Sequence, residues 1–244
     1  MTTRIAALVG ATGGAGTTRL TVETGALLAA TGRDVAVFDA AFGTQGLASY
    51  IDRRIEADVT ALLTGDAELE TVLYEHAADV PGRLALAPAW APFDRLARAK
   101  TAGAAERFEE QLSAAAISHD VVLVDTPPIE GNQTIAAVNA ADRVGIVTPD
   151  TPRGADGLAL AHERLADIGV ESDAVVANRS VDPDLDADAA VPRADVTDPG
   201  DCPACLPIDD SFAPAIADLV AALLGIDVEI ETPENDGIAG LLGS

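Results

Sequence analysis

Short apolar runs alternate with longer alanine-rich or amphipathic segments along most of the chain. The apolar runs are nearly continuous and bounded by glycine, proline or aspartate, which is typical of strands buried on both faces. They predict strands at residues 4–10, 34–40, 83–88, 120–128, 143–149 and 173–180. Helical patterns occupy residues 18–30, 47–76 with a break at 64–66, 93–116 as one or two helices, 133–140, 153–168 and 212–224. This alternation predicts an α/β fold with a mostly parallel twisted sheet and helices on both faces.

The domain organisation follows from the same pattern. A chain of 244 residues is long enough for one α/β domain with a large core. We therefore predict a single domain over residues 1–225, in which the segment 181–200, rich in Asp, Pro and Ala, is a loop or an insertion. Residues 226–244 are expected to form an acidic, flexible C-terminal tail.

Charge changes the picture of the surface. The chain has 40 Asp and Glu against 15 Lys and Arg, a net charge of −25, and Lys100 is its single lysine. An acidic, lysine-poor surface stays hydrated in concentrated salt, so we interpret the source as a halophilic archaeon. The same charge argues against a nucleic-acid partner, because the clearest basic cluster, Arg53-Arg54, is too short to follow a phosphate backbone.

Hydropathy argues against a membrane protein. No run approaches 18 apolar residues, and the N-terminal residues lead directly into a predicted strand. We therefore expect neither a transmembrane helix nor a secretory signal, and we expect a cytoplasmic protein. The C-terminal residues 237–244 lack a basic face, which predicts no stable membrane anchor.

A glycine-rich segment joins the first predicted strand to the first predicted helix. Residues 10–19 read GATGGAGTTR, an arrangement that presents backbone N–H groups and a helix N-terminus to a phosphate. The glycines keep the spacing of the Walker A loop, in which a lysine followed by Ser or Thr contacts the phosphates and Mg²⁺. Here Thr17 stands at the lysine position and Thr18 keeps the hydroxyl. Arg19 does not replace the lysine, because a step of two residues on a helix turns its side chain about 200° away.

Six blocks in order extend this motif over nearly the whole chain. They read GATGGAGTTRL, VFDAAFGTQG, VVLVDTPP, VTPDTPRGADGL, VVANRS and LPIDDSFAPA. The series resembles the MinD/ParA family of P-loop ATPases, which carry a deviant Walker A motif. The resemblance implies a P-loop domain, ATP or ADP with Mg²⁺ as cofactor, a protein partner and the ability to form a homodimer.

The resemblance also assigns roles to individual residues. The nucleotide-binding residues that it implies lie in the loop, in an adenine-reading turn and in a segment beside the base: Gly13, Gly14, Ala15, Gly16, Thr17, Thr18, Asn178, Arg179, Pro207 and Asp209. It places Mg²⁺ on Thr18, Asp39 and Asp125. Among these, Asp39 matches the first acid of the family's Asp-x-Asp switch segment and Asp125 matches the Walker B acid.

Three positions depart from the family's pattern, and each lacks a charge. Thr12 stands at the signature lysine that reaches across the family's dimer, Thr17 at the Walker lysine, and Ala41 at the acid that positions the attacking water. Phosphoryl transfer depends on fixed cations at the β- and γ-phosphates, so we expect no catalytic residues and very slow or absent ATP hydrolysis. Because the backbone cradle remains, two interpretations stay open: weakened binding of ATP or ADP, and a loop inherited only as a structural turn.

These observations favour a non-hydrolysing or very slow, nucleotide-responsive adaptor that positions or regulates a partner complex. The loop is locally similar to those of TadZ/CpaE-type members, which position pilus machinery. The alternative is an active ATPase of the MinD/ParA type, for partitioning or cell division, that takes a cation from a partner's arginine or from K⁺. A second alternative is a carrier, since Cys202 and Cys205 resemble the CPxC pair of the iron–sulfur branch. With a single pair per chain, zinc or an iron–sulfur cluster would need a dimer, so we expect a small buried segment instead.

Two local predictions concern loops. Residues 131–134, after DTPP, form either a switch-like loop or the start of a helix, and the sequence leaves both open. Trp90, in the segment PAWAPF, is expected to be a packing anchor buried under a loop.

Overall fold

One eight-stranded sheet forms the centre of the computed structural model, which describes residues 5–76, 79–206 and 212–230. The strands are β1 Ile5–Gly10, β2 Asp34–Asp39, β3 Tyr74–Glu75, β4 Arg83–Ala87, β5 Val121–Thr126, β6 Arg143–Pro149, β7 Ala174–Asn178 and β8 Ala189–Val191. Their order is β3-β4-β2-β5-β1-β6-β7-β8. Neighbours are parallel except β3 and β4, so the predicted mostly parallel sheet is confirmed.

Helices cover both faces of this sheet. They are α1 Thr17–Ala30, α2 Val59–Thr64, α3 Phe93–Ala99, α4 Ala102–Ser118, α5 Asn132–Ala140, α6 Pro152–Asp167 and α7 Phe212–Leu224. Helices α1 and α7 pack on one face, whereas α2, α4, α5 and α6 pack on the other. Among the described residues, no helix combines the length and the apolar character needed to cross a bilayer.

The core is packed mainly with small and branched apolar residues and contains few aromatic ones. Strand β1 is buried throughout, and its alternate residues enter the two opposite core clusters. Small and branched apolar residues fill most of the space between sheet and helices, which lets the helices lie close to the strands. On the α4 side, the ring of Phe108 lies 6.5 Å from that of Phe38 and 6.4 Å from that of Phe42. These three buried rings fix α4 against β2.

Two predicted segments differ from the structure. The segment 181–200, expected to be a loop or insertion, contains β8, which extends the sheet beside β7. Three residues among Asp and Pro are too short a run to reveal a strand by pattern. The expected helical stretch 47–76 holds only the short α2, because the Asp58 carboxylate accepts the Ala61 N–H at its start and Gly65, at φ 82°, ends it. The rest of that stretch consists of irregular segments, two short 3₁₀ turns and β3.

Two further boundaries are defined by the structure. Residues 93–116, expected to hold one or two helices, form α3 and the greater part of α4, which meet at residues 100–101. Residues 226–230 have no regular structure, and their three apolar side chains pack partly buried against the cluster of α1 and α7. Most of the predicted tail, residues 231–244, lies outside the described residues.

Glu23 is a fully buried acid on α1 that ties this helix to the segment before α7. Its Oε1 accepts hydrogen bonds from Arg19 Nε at 2.5 Å and from the Ala204 N–H at 2.8 Å. Its Oε2 accepts from the Cys205 N–H at 2.9 Å. The side chain is 0% exposed, so these donors replace the water that a carboxylate would otherwise require.

Replacing Glu23 by alanine should therefore strongly destabilise the fold. The substitution leaves the Arg19 guanidinium and two N–H groups without their acceptor, and breaking a buried pair in this way costs about 3–5 kcal/mol. The free energy of unfolding, measured by denaturant titration at constant KCl, tests this. The control is Glu163→Ala at an exposed position of α6, expected to stay within about 0.5 kcal/mol of the wild type. Equal effects of the two substitutions would contradict the role of Glu23.

Candidate functional site

The glycine loop lies at the carboxyl edge of the sheet, between β1 and α1, where parallel α/β folds bind their ligands. It forms one wall of a cavity of about 860 Å³, within the range of small-molecule sites. The other walls come from the loops after β2 and β5, from the α3–α4 junction and from the end of β7. A Cβ on Gly13 or Gly14 would meet no atom within 4 Å, so the backbone there faces open space.

Gly16 is fixed as glycine by two constraints. Its φ is 92°, a conformation that L side chains rarely adopt, and a Cβ there would lie 2.2 Å from Asn178 Nδ2. That amide donates to the Ala15 carbonyl at 2.7 Å, so the end of β7 holds the loop directly. The adenine-reading role of Asn178 stays a prediction. Arg179 follows at φ 65°, with its Nη2 3.6 Å from where a Cβ on Gly16 would lie.

The three positions where the family carries charge hold uncharged side chains here. The Thr17 hydroxyl lies against Gly10, 2.8 Å from where a Cβ on that glycine would be. The Thr12 methyl group lies against Gly157 of α6, where a Cβ would come within 2.5 Å of it and within 2.8 Å of the Ala11 carbonyl oxygen. Helix α6 therefore touches the loop backbone. Ala41 lines the cavity without any polar side-chain group.

Arg19 points away from the cavity, as its place on the helix predicts. Its Nε donates to Glu23, and its Nη2 donates to the Val196 carbonyl at 3.2 Å. The guanidinium thus serves the packing of α1 against the 196–205 segment. In this structure Arg19 is thus bonded on the side of the helix away from the cavity, and its not replacing the missing lysine stays a prediction.

Two of the predicted Mg²⁺ ligands, Thr18 and Asp125, line the cavity, and the third, Asp39, pairs with Asp125 in the sheet beside it. The Thr18 hydroxyl donates to Asp125 Oδ2 at 2.6 Å. Asp39 lies directly opposite Asp125 in the pairing of β2 with β5, and its two oxygens accept the N–H groups of Ala41 and Ala89. Burial raises the pKa of Asp39 to about 8, with a further contribution from the nearby Asp125 carboxyl. Burial likewise raises the pKa of Asp125 to about 7, against a smaller opposite effect of the Thr18 hydrogen bond.

This donor set fits Mg²⁺. Hydroxyl and carboxylate oxygens are its preferred protein ligands, and a divalent cation would offset the repulsion between two buried carboxylates. The described residues contain no group of three or more His, Cys, Asp or Glu placed to hold one metal ion. Mg²⁺ in proteins usually keeps several water or phosphate ligands beside one or two carboxylates.

The cysteine pair lies apart from the cavity. Cys202 and Cys205 are 7% and 0% exposed, and their thiols donate to the carbonyls of Asp198 and Glu23. Burial raises the pKa of Cys202 to about 11 and that of Cys205 still further. Since the thiolate is the form that binds metals, the fold favours protonated, structural thiols at this place.

Lys100 and Gln133 line the cavity, although sequence reasoning did not assign them. Lys100 follows α3, and its carbonyl accepts the Asn132 Nδ2–H group at 3.0 Å. Gln133 lies in the first turn of α5, so residues 131–134 are the start of a helix and not a switch-like loop. The one available signal was that Lys100 is the only lysine of the chain.

Two of the predicted nucleotide-binding residues, Pro207 and Asp209, lie outside the described residues.

The expected burial of Trp90 is wrong. Its side chain is 57% exposed, although its backbone N–H donates to the buried Asp58 carboxylate at 2.8 Å. The backbone of this segment is therefore held in place, while the indole faces solvent.

A glycine loop after a central strand of a parallel sheet, with a hydroxyl bonded to an acid on the neighbouring strand, is the arrangement of a P-loop protein. The chain belongs to the AAA domain family, whose model matches residues 3–174.

Comparison with known proteins supports this assignment. An uncharacterized ATP-binding protein of Methanocaldococcus jannaschii is 26% identical over 156 residues, which are 63% of this chain and 56% of that protein. The match thus spans little more than half the length of this curated relative. The septum site-determining protein MinD of Pyrococcus horikoshii, solved with Mg-ADP, has a TM-score of 0.72 at 19% identity, covering 90% of this chain and 94% of that one. The MinC:MinD complex of Aquifex aeolicus has a TM-score of 0.74 at 22% identity, and the match covers 93% of this chain and 98% of that one. The fold is that of MinD/ParA-type proteins.

The two buried carboxyls predict a pH dependence of stability. Their pKa values are raised on folding, so the folded state binds more protons than the unfolded state from about pH 4 up to about pH 8. The metal-free protein should therefore lose stability from this pair as pH rises through that interval. Asp39→Asn removes one of the charges and should lessen the loss by about 1 kcal/mol or more.

The measurement is the free energy of unfolding at pH 5 and pH 8, with EDTA and constant KCl. Asp94→Asn, at an exposed position of α3, is the control for removing an ordinary carboxylate. Parallel pH slopes for wild type and Asp39→Asn would contradict the prediction.

Proposed function

We propose that this protein is a nucleotide-responsive adaptor of the MinD/ParA type. It binds ATP or ADP with Mg²⁺, hydrolyses ATP very slowly or not at all, and positions or regulates a partner complex. The observation that carries this proposal is a phosphate cradle that keeps its backbone and its Mg²⁺ ligands, while positions 12, 17 and 41 lack the family's charges.

The residues of the cavity account for binding. The glycine loop lines the cavity and leads into the N-terminus of α1, and backbone N–H groups and a helix N-terminus both favour an anion. Thr18, Asp39 and Asp125 would hold Mg²⁺, which supplies positive charge to the phosphate oxygens when bound. Because the loop contributes dipoles and no ammonium group, we expect the affinity to be lower than that of a loop with a lysine.

The same residues argue against rapid turnover. Removing one donor that stabilises a transition state typically lowers the rate by about 10²–10³. This chain lacks the loop's cation at Thr17, the cation at Thr12 and the water-positioning acid at Ala41. Their combined loss supports a role in which the bound nucleotide acts as a signal.

A protein partner is supported by the comparisons and by charge. MinD of Aquifex aeolicus was solved in complex with MinC, and its fold is close to that of this chain. A net charge of −25 disfavours nucleic acid. We further propose that the protein works in the cytoplasm of a halophilic archaeon and forms a homodimer, as the family resemblance implies.

One observation favours a second function, an ATPase that takes its cation from outside the loop. Lys100 and Arg179, both basic, line the cavity. By contrast, the buried, protonated thiols of Cys202 and Cys205 give no support to a zinc or iron–sulfur carrier in the single chain. Elemental analysis of the wild type and of Cys202→Ser tests that carrier directly.

Binding and hydrolysis separate these functions. In multimolar KCl we expect calorimetry to show Mg²⁺-dependent binding of ATP and ADP, with phosphate release no faster than in a protein-free control. Thr18→Ala should weaken the dependence on Mg²⁺, since it removes the hydroxyl beside Asp125. Sustained phosphate release by the isolated wild type would establish the ATPase instead, and absence of any nucleotide binding would refute the adaptor.

Restoring a loop lysine tests the cradle itself. Thr17→Lys should tighten ATP binding by about 10- to 100-fold, the value of a charge-assisted hydrogen bond. The matched control is Thr71→Lys, which adds the same charge at an exposed position outside the residues that line the cavity. No gain in a folded Thr17→Lys protein would mean that the cavity does not hold a triphosphate in the proposed manner.

A further inference from the structure

We infer that Lys100 binds the terminal phosphate of the nucleotide, at a subsite formed with Gln133 and the N-terminus of α5. This inference rests on the proposed nucleotide binding and deepens it. It assigns to Lys100 the ability to distinguish a triphosphate from a diphosphate.

The first support is the placement of Lys100. The residue lies between α3 and α4, next to Ala99, which is 0% exposed. The hydrogen bond from Asn132 Nδ2 to its carbonyl fixes its backbone at the first residue of α5. Within residues 5–76, 79–206 and 212–230, no carboxylate lies within 4 Å of its ammonium in an ion pair. Its flexible four-carbon stem therefore starts from a fixed point and ends in an unengaged charge.

The second support is Gln133. Its side chain lines the cavity and is 6% exposed, yet its Oε1 is buried without a hydrogen-bond partner. A buried polar atom without a partner costs free energy, so such an atom in a cavity wall indicates a ligand that brings a donor. A water molecule bound to phosphate provides one.

The third support is the N-terminus of α5, which begins at Asn132 with Gly131 as its N-cap. The first N–H groups of a helix have no partner within the helix, and the helix dipole favours an anion there. Lys100, which lines the same cavity, adds a full charge. An ammonium is a compact point charge and a common ligand of phosphate.

Topology decides which phosphate the subsite receives. The sheet order places β5 on one side of β1 and β7 on the other. Asp125, on β5, belongs to the proposed Mg²⁺ site, so a nucleotide held there with Mg²⁺ would direct its terminal phosphates toward this side of the cavity. Helix α5 follows β5, so Lys100 lies on the side of the terminal phosphate, whereas Arg179 follows β7 on the opposite side.

The test compares ATP with ADP. Lys100→Gln should weaken Mg-ATP binding by about 10- to 100-fold and change Mg-ADP binding by less than about 2-fold. Lys100→Arg should restore part of the difference, because the positive charge is kept. The control is Arg98→Gln, which removes the same charge two residues away at an exposed position that does not line the cavity. Gln133→Leu, if its thermal unfolding matches the wild type, should also weaken ATP more than ADP.

Calorimetry at low and at multimolar KCl distinguishes the outcomes. Equal loss of ATP and ADP affinity, or no loss, in Lys100→Gln overturns the inference while the proposed nucleotide binding stands. Failure of the wild type to bind either nucleotide refutes the proposed function itself. Inorganic phosphate is titrated into the ADP-loaded protein as a separate probe. Binding that depends on Lys100, together with unchanged ATP affinity in Lys100→Gln, would assign the subsite to a free anion and overturn its assignment to the nucleotide.

Discussion

The site depends on two carboxyl groups that the sheet forces together. Asp39, the last residue of β2, pairs with Asp125, one residue before the end of the parallel strand β5, and both side chains are buried. Three hydrogen bonds, from the Thr18 hydroxyl and from the N–H groups of Ala41 and Ala89, satisfy part of their demand. The remaining electrostatic cost falls when a divalent cation or protons are bound. The glycine loop, the segment after β2 and the segment after β5 all lie next to these two carboxyl groups.

The positively charged side chains at this cavity come from its walls and not from the glycine loop. The loop supplies only backbone dipoles, since its own basic residue, Arg19, is engaged by Glu23. The basic side chains that line the cavity, Lys100 and Arg179, come from distant parts of the chain. In a protein of net charge −25, a single lysine at this cavity is a notable placement. Lys100 and Arg179 would therefore act electrostatically on a bound phosphate although neither belongs to the glycine loop.

The sequence was informative where a residue's role depends on its immediate neighbours. The strands and the loop follow from local pattern, whereas the pairing of Thr18 with Asp125 was implied by the family resemblance and agrees with the rule that parallel strands end at one edge. The sequence did not predict that Lys100 and Gln133 line the cavity. Their positions depend on how the α3–α4 junction meets α5, a contact between residues about thirty positions apart. Strand β8 was not predicted because its three residues are too few to show the alternation of apolar and polar positions that marks a strand. Trp90 was misplaced because its backbone anchor, Asp58, is remote in sequence.

The close contact of α6 with the glycine loop has a consequence for affinity. Gly157 lets this helix rest on Ala11 and Thr12, while Asn178 grips the loop from the other side. The loop is thus preorganised, and the conformational entropy lost in shaping it is already lost on folding. A phosphate that binds would not have to order the loop, so less of its binding free energy would be lost. This would partly offset the absence of a cation in the loop.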